Sequence, residues 1–243
     1  MRPRLDSILR KQILSLLKKS HEALVKVSES SIPGAGKGVF SKNAVLRNEV
    51  PKVACLYPGV YTPGIPIHAA VNALDSSPNQ YLANGVPPSG VLFDENAYIM
   101  NLQVCGGYID ACALTNQSGG RMYENPAACG HFINHCTLKN NVEVIPFFWD
   151  DVLYQKAAVD DADQYYPLPN SPRTDGSPWY FDGLQQEIVF FEGTEQESKS
   201  TQAWLECGAA MVITKPLESE EELLLDYGLK APYPKWAEWY DCK

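Results

Sequence analysis

The amino-acid sequence predicts a mainly β fold of many short strands, preceded by one N-terminal helix. Of the 243 residues, 45% are hydrophobic, which is enough to bury a full core as one domain or as one domain with a large insertion. The 18 prolines and 17 glycines fall between short apolar runs, and this pattern favours short strands and loops over long helices. The N-terminus is the exception, because its apolar residues recur near helical spacing.

Charge and cysteine content restrict the partners and the compartment. The net charge is −9, and residues 1–27 carry a net +5, so the remaining chain carries −14. Such an acidic surface repels nucleic acid and attracts basic partners, so no direct nucleic-acid binding is expected. No apolar run approaches the ~18–20 residues of a membrane-spanning helix, so we expect a soluble protein. The seven cysteines form no CxxC pair, which favours thiols in a reducing intracellular compartment, nuclear or cytoplasmic.

Residues 1–28 are the first predicted unit, a basic amphipathic helical extension. The predicted helix covers Met1–Val27, with leucine, isoleucine and valine on one face and arginine and lysine on the others. The favoured interpretation is a helix that packs on the domain and leaves a solvated basic face. A mitochondrial presequence is the alternative, which the arginines suit and the two acids, Asp6 and Glu22, do not.

A glycine-rich turn, SIPGAGKGVF over Ser31–Phe40, opens the main domain. It does not match the ATP-binding P-loop, because Lys37 is followed by Gly38 instead of Ser or Thr. The backbone of this loop can approach a ligand closely, since its glycines lack a Cβ. A plain β-turn is the alternative interpretation.

Strand-like runs alternate with loop-rich stretches through the main domain, 29–230. The runs begin at residues 50, 98, 108 and 204, and read VPKVACLYPGVY, YIMNLQV, YIDACA and WLECGAAMVIT. Two insertions are predicted, at about 62–97 and 146–200. The second carries eleven acids against three bases among several aromatics, and is either a solvated insertion anchored by its aromatics or a binding face for a basic peptide. Residues 231–243 form an aromatic C-terminal tail that we expect to dock.

The stretch GHFINHCTLKNNV, over Gly130–Val142, ends a strand-like run with two polar residues. Asn134 and His135 directly follow apolar residues, so their side chains need partners if the run is buried, and those partners belong to a loop or to a ligand. The cysteines and histidines from Cys129 to Cys136 also invite a zinc interpretation. Tetrahedral zinc sites usually draw on two separated pairs, and a second pair is not evident, so no metal is predicted.

Four segments resemble the SET-domain protein lysine methyltransferases in their order and spacing. They are GAGKGVF with the following LYPG, then Tyr108-Ile109-Asp110-Ala111, then Phe132-Ile133-Asn134-His135 with Asn140 beyond, and last Glu221-Glu222-Leu223 leading to Asp226-Tyr227-Gly228. Each segment is a weak match alone, but together they extend from Ser31 to Gly228. The AGKGVF and LYPGVY pieces look most like a divergent branch of the family, that of SET domain-containing protein nine.

This resemblance implies a SET-domain β-clip of small twisted sheets, in which the C-terminal strand threads beneath a preceding loop as a pseudoknot. It implies transfer of a methyl group from S-adenosyl-L-methionine to the side-chain amine of lysine in a basic protein or peptide. The cofactor would lie against the backbone of Gly36, Lys37 and Gly38. Asn134 and His135 would hold its adenine and amino-acid ends.

The resemblance also assigns three aromatic residues. Tyr227 matches the catalytic tyrosine of the family, and Tyr57 matches a second tyrosine that lines the lysine channel. Family members with a zinc-binding tail have three clustered cysteines after the last motif, but here only Cys242 follows. We therefore expect an aromatic residue of the tail, Trp236, to close the cofactor site.

Three departures from the family pattern bear on the substrate. After Asn134-His135 the family usually continues Ser-Cys-x-Pro-Asn, whereas this chain has Cys136-Thr137-Leu138-Lys139-Asn140. Glu143 and Leu229 stand where aromatic residues are often found. These changes leave cofactor binding in place and concern substrate choice and degree of methylation. The alternative class of function is a SET-fold module that binds basic peptides without turnover.

Overall fold

The computed structural model describes most of the N-terminal third and the segments that surround the predicted site, namely residues 5–63, 97–102, 105, 107–111, 125–153, 166 and 207–229. Within these ranges the chain forms three small β-sheets and an N-terminal helix, which confirms the predicted mainly β fold. No helix in this part of the chain is long and apolar enough to cross a membrane.

Ten short strands and two helices make up the described elements. They are, in chain order, α1 (Ser7–Leu16), β1 (Val25–Glu29), β2 (Lys37–Ser41), β3 (Lys52–Tyr57), β4 (Val60–Pro63), β5 (Ile99–Leu102), β6 (Gly107–Asp110), β7 (Asn134–His135), β8 (Val142–Phe148), α2 (Trp149–Leu153), β9 (Cys207–Ile213) and β10 (Leu224–Leu225).

Helix α1 is amphipathic as predicted, but it is shorter than the predicted Met1–Val27. It begins after Asp6, whose carboxylate accepts hydrogen bonds from the backbone of the first turn, at 2.7 Å from Ile8 N. It ends at Leu16, and Val27, which continued the predicted helical spacing, instead lies in β1, which pairs with β2. Val25 and Val27 also fit the alternation of a strand, and β-branched residues favour that conformation.

The largest sheet has five strands in the order β3-β9-β8-β10-β7. Strands β3, β9 and β8 pair antiparallel, whereas β10 pairs parallel with both β8 and β7. Strand β10 thus lies between β7 and β8, which are consecutive in the chain. The remaining sheets are the β1-β2 hairpin and the three-stranded sheet β4-β6-β5.

Residues that alternate along β3, β8 and β9 belong to two hydrophobic clusters, one on each face of the five-stranded sheet. We call these two groups the far cluster and the site cluster. The far cluster joins side chains from α1 and α2 to side chains of the sheet, and its buried members are Ile13, Leu16, Leu17, Val53, Leu56, Ala127, Phe147, Trp149, Val152, Ala210 and Val212. The site cluster contains the predicted site segments, among them Tyr57, Phe132, Ile133, Leu223 and Leu225. Helix α1 is therefore part of the core of this domain.

Two further boundaries differ from the sequence prediction. The strand-like run His131–Ile133 is largely a 3₁₀ turn, Gly130–Phe132, and the strand begins only at Asn134. Strand β8 continues through Phe148 into α2, so the first residues of the predicted insertion 146–200 belong to the core. The acidic part of that insertion lies outside the described residues, as do most of the insertion 62–97 and the whole tail 231–243.

Candidate functional site

The glycine-rich loop leads into β2 beside the C-terminal segment. Gly36 has φ +71°, a conformation that glycine adopts without strain, and the direction in which a Cβ would point is open. Gly38 is buried, and a Cβ there would overlap the carboxylate of Glu222 and lie 3.3 Å from Asn134 Nδ2. Gly36 therefore leaves the outer side of the loop accessible, while Gly38 allows two polar side chains to reach its inner side.

The side chain of Asn134 joins this loop to the C-terminal segment. It is buried, and its Nδ2 donates to the carbonyl of Lys37 at 3.0 Å and to Glu222 Oε1 at 3.1 Å. Asn134 stands in β7, next to β10. The predicted need for polar partners at Asn134 is thus met by the loop and by a second residue that lies 88 positions further along the chain.

Glu222 is a buried carboxylate that the sequence analysis did not assign to the site. It accepts hydrogen bonds from Ser30 Oγ at 2.7 Å, from Ser31 N at 2.8 Å and from Ser31 Oγ, in addition to Asn134. All these donors come from other segments, since Ser30 and Ser31 precede the glycines of the loop. The sequence signal was its place in the Glu221-Glu222-Leu223 segment, which did not distinguish it from its neighbours.

His135 and Tyr227 are in direct contact. The backbone N–H of Tyr227 donates to His135 Nδ1 at 3.1 Å, and the two rings lie 5.2 Å apart between centroids. Nδ1 of His135 also lies 3.2 Å from the carbonyl oxygen of Leu225, so this nitrogen faces both a donor and an acceptor of the C-terminal segment. Its Nε2 lies 3.4 Å from Thr137 Oγ1.

The phenol of Tyr227 is held at its other end as well. Its hydroxyl donates to the carbonyl of Ile133 at 2.5 Å. The side chain is partly buried and packs against the site cluster. Tyr227 is thus fixed by the residues on both sides of Asn134, at its backbone by His135 and at its hydroxyl by Ile133.

Tyr57 lies in a group of aromatic side chains on the face of the five-stranded sheet that carries the site cluster. It is buried, its hydroxyl donates to the carbonyl of Tyr98 at 2.8 Å, and its ring is 6.5 Å from the ring of His131. His131 also lies 3.9 Å from the ring of Phe132. Burial, together with the positive charge of Lys37, lowers the pKa of His131 to about 3, so its imidazole is neutral at physiological pH.

Asn141 is a second residue that the sequence analysis missed. Its side chain is buried, donates to the carbonyl of Glu222 at 3.0 Å and accepts from Leu224 N at 2.8 Å. The resemblance had drawn attention to Asn140 instead, whose carbonyl accepts from the Lys215 ammonium at the surface. Asn141 therefore fixes the backbone on both sides of Leu223.

The structure brings most of the predicted site residues together. The carbonyl of Lys37 accepts a hydrogen bond from Asn134, a Cβ at Gly38 would lie close to the same side chain, and His135 contacts Tyr227. Tyr57 belongs to the same hydrophobic cluster, and its ring lies near that of His131. Trp236 lies outside the described residues. Within the described ranges, no three His, Cys, Asp or Glu side chains gather in a way that could hold a metal ion.

Comparison with known proteins adds no family assignment. No protein-family model matches this chain, and no curated protein matches it significantly.

Proposed function

We propose that this protein is an S-adenosylmethionine-dependent protein lysine N-methyltransferase that acts on lysine-containing basic proteins or peptides. One observation carries the proposal: three segments far apart in the sequence converge at one place. The glycine loop reaches Asn134 through the carbonyl of Lys37, and the adjacent His135 contacts Tyr227. These are the segments that the resemblance to SET domains assigns to the cofactor and to catalysis.

The sheet order supports a SET-type fold. Strand β10 pairs with β7 and β8 at once, and its neighbours are therefore two strands that follow each other in the chain. The backbone N–H of Cys136 donates to Leu225 at 3.0 Å, and the backbone N–H of Asn141 donates to Leu224 at 2.9 Å. We interpret this placement of the C-terminal strand as the threaded strand of a SET-domain β-clip.

The residues of the glycine loop fit a methyl donor that carries an amino acid and a nucleoside. The loop presents backbone on a side where Gly36 has no neighbour within 4 Å of a Cβ, and its lysine side chain lies beside the aromatic ring of Phe132. Gly36, Lys37 and Gly38 would bind the donor through their backbone, and Asn134 and His135 would bound the pocket. Trp236 is proposed to close it.

Bound S-adenosylmethionine would supply an electrophilic sulfonium methyl group. The role of the protein is then alignment and desolvation, because an in-line attack needs correct geometry more than acid–base chemistry. Tyr227 presents its hydroxyl oxygen from a phenol that is fixed at both ends, and Tyr57 lines the route of the lysine side chain. The apolar residues of the site cluster exclude water.

The lysine nucleophile must be the neutral amine. Free lysine has a pKa of about 10.4, so it is protonated at neutral pH unless its surroundings disfavour the ammonium. The buried aromatic side chains near Tyr57 provide a low-dielectric surrounding of this kind, and the same burial lowers the pKa of His131 among them. No dedicated general base is required.

The proposal includes a reducing intracellular compartment, nuclear or cytoplasmic. Buried thiols at Cys55, Cys129 and Cys136 support it. Hydrogen bonding with Cys129, together with burial, raises the pKa of Cys55 and leaves it unreactive.

The alternative use of the N-terminus as a cleaved mitochondrial presequence is disfavoured, because removal of α1 would remove Ile13 and Leu16 from the core.

Titration with S-adenosylmethionine tests the proposal. A ligand at ~100 times its dissociation constant adds roughly 2.7 kcal/mol to the free energy of unfolding, so thermal unfolding should shift upward. Methyl transfer to a pool of lysine-rich peptides, followed with a labelled methyl group, should then be detected. Absence of a thermal shift at millimolar cofactor would contradict the proposal. A shift without transfer would favour the alternative, a SET-fold module that binds basic peptides without turnover.

A further inference from the structure

We infer that Glu222 is the positioning residue of the glycine loop: its carboxylate holds Ser30, Ser31 and Asn134 and so sets the backbone of Gly36–Gly38 for the cofactor. The inference rests on the proposed function only for the identity of that ligand. The mechanical part, the fixing of the loop, follows from the contacts of the ligand-free chain.

The two carboxylate oxygens of Glu222 have separate partners. Oε1 accepts from Ser30 Oγ at 2.7 Å and from Asn134 Nδ2 at 3.1 Å. Oε2 accepts from Ser31 N at 2.8 Å and from Ser31 Oγ. A carboxylate can accept at both oxygens, whereas an amide offers one acceptor and one donor group. A glutamine at this position would therefore turn an NH₂ group towards one pair of donors.

The loop leaves space for the Glu222 carboxylate at Gly38. A Cβ at Gly38 would displace this carboxylate. Ser30 and Ser31 lie at the start of the loop, and Asn134 holds the carbonyl of Lys37 near its end at 3.0 Å. Glu222 thus connects the two ends of the loop, directly at Ser30 and Ser31 and through Asn134 at Lys37.

The backbone of Glu222 is itself fixed, so the carboxylate is presented from a rigid position. Asn141 binds its carbonyl at 3.0 Å, and the next residue, Leu223, donates its backbone N–H to the carbonyl of Val39 in β2 at 2.7 Å. The Leu223 side chain is fully buried. A group held this way limits the motion of whatever it binds, and preorganised sites depend on such supporting hydrogen bonds.

Amide hydrogen exchange on the ligand-free protein tests the fixing of the loop. In Glu222→Gln, we expect exchange at residues 31–38 to accelerate about tenfold or more, the effect of losing hydrogen bonds to a buried carboxylate. Ser31→Ala removes one hydroxyl and keeps the bond from Ser31 N, so its acceleration should be smaller. Glu218→Gln is the matched control, because it removes a nearby exposed carboxylate and should leave the exchange unchanged.

Cofactor binding gives the second readout. Glu222→Gln should weaken S-adenosylmethionine binding about tenfold by calorimetry, and should raise the KM for the cofactor while kcat and the KM for the peptide stay nearly constant. Glu222→Asp keeps both oxygens and should restore part of the loss. A general loss of stability would instead lower the amount of active protein, without raising the KM for the cofactor selectively.

Two results would overturn the inference: unchanged loop exchange in both Glu222→Gln and Ser31→Ala, or equal cofactor affinity in wild type and Glu222→Gln. If Glu222→Gln does not fold, Ser31→Ala and Glu222→Asp decide by the same readouts. Failure of the proposed function is distinguishable, since wild-type protein would then bind no S-adenosylmethionine while the exchange of the ligand-free loop still reports on Glu222.

Discussion

Tyr227 is held by the two residues that flank Asn134, through the side chain of His135 and the main chain of Ile133. Its backbone is bound by the His135 ring and its hydroxyl by the carbonyl of Ile133, so the phenol cannot rotate without breaking a bond. A group that must lie beside a transferring methyl has to be placed within a fraction of an ångström. The restraint at both ends of Tyr227 is therefore what its proposed role requires.

Replacement of Tyr227 by phenylalanine separates chemistry from binding. We expect methyl transfer to fall about 100-fold, because the oxygen that we propose to face the methyl group is lost. Cofactor affinity should stay nearly constant, and the free energy of unfolding should fall by only about 1 kcal/mol for the lost bond to Ile133. Single-turnover transfer, calorimetry and urea unfolding measure the three quantities. Wild-type transfer rates in Tyr227→Phe would show that the catalytic role is misassigned.

Gly36 and Gly38 are glycines for different reasons, and alanine substitution distinguishes them. Gly38→Ala pushes the carboxylate of Glu222 from its partners, which should cost about 1–3 kcal/mol of unfolding free energy. Gly36→Ala meets no atom but is strained at φ +71°, at a cost of about 1–2 kcal/mol.

The double-mutant cycle with Glu222→Ala provides the control for this pair. In that background the obstructing carboxylate is gone, so Gly38→Ala should cost at least about 1 kcal/mol less, whereas the cost of Gly36→Ala should not change. Urea unfolding of the single and double variants measures both couplings. If the unfolding costs of Gly38→Ala and Glu222→Ala were additive, the predicted overlap between a Cβ at Gly38 and the Glu222 carboxylate would be wrong.

At the scale of elements, the five-stranded sheet separates the site from its support. Its far face is covered by α1 and α2, and its opposite face carries the aromatic side chains around Tyr57. Strands β10 and β7 complete the sheet at the end that bears Asn134 and His135. The α1 side chain of Gln12 also accepts from the backbone of Val53 in β3 at 2.7 Å, which adds a polar contact to the apolar packing. Helix α1 therefore supports the sheet without contributing to the site.

Ile13→Ala tests the packing of α1. The side chain is fully buried, so truncation should lower the free energy of unfolding by about 2–5 kcal/mol through lost burial and a cavity. Ile8→Ala on the same helix is the matched control, since Ile8 is 61% exposed and should change the value by less than about 0.5 kcal/mol. Both substitutions alter helix propensity alike, so their difference measures burial. Equal costs would mean that α1 does not pack as described.

The sequence was sufficient for the elements with clear periodicity and for the residues in recognised segments. The strand-like runs that begin at residues 50 and 204 were predicted where the structure has β3 and β9, and the polar pair Asn134-His135 was predicted to need partners. Glu222 was not, because three consecutive glutamates read alike and only the backbone decides which of them points inward. Glu220 stands in a left-handed turn, with φ 65°, and is exposed, whereas Glu222 is buried.

The end of helix α1 shows a second reason why the sequence alone did not predict every element. The spacing of Leu24 and Val27 satisfied a helix, but Val25 and Val27 also satisfied a strand, and pairing with β2 decided between them. Val25 and Val27 pair with Ser41 and Val39, which are more than ten positions away, and local periodicity does not include such partners. Likewise β10 has two residues, and its position between β7 and β8 comes from tertiary contacts with Asn134, His135 and Val142.

At the scale of the whole molecule, both hydrophobic clusters share one sheet. Strands β3, β8 and β9 supply alternate residues to each cluster, so loss of either cluster removes the support of the other. We therefore expect the described part of the chain to unfold as one cooperative unit. The buried His131 belongs to this unit, and its protonation state is tied to global unfolding.

The stability of the whole fold should fall as the pH falls from about 6.5 towards 3, in part through His131. Its pKa is about 3 in the folded protein and near 6.5 when exposed, so the unfolded state binds more protons between these values. The free energy of unfolding then rises with pH across this window by up to about 1.4 kcal/mol per pH unit, and the contribution is complete above 6.5.

Urea unfolding at pH 5, 6 and 7 should show a smaller slope in His131→Gln than in wild type, because the substituted amide does not titrate. Burial also lowers the pKa of His21, but that side chain is more exposed, so His21→Gln should remove less of the slope. Equal slopes in wild type and His131→Gln would contradict the burial of a neutral imidazole between Tyr57 and Phe132.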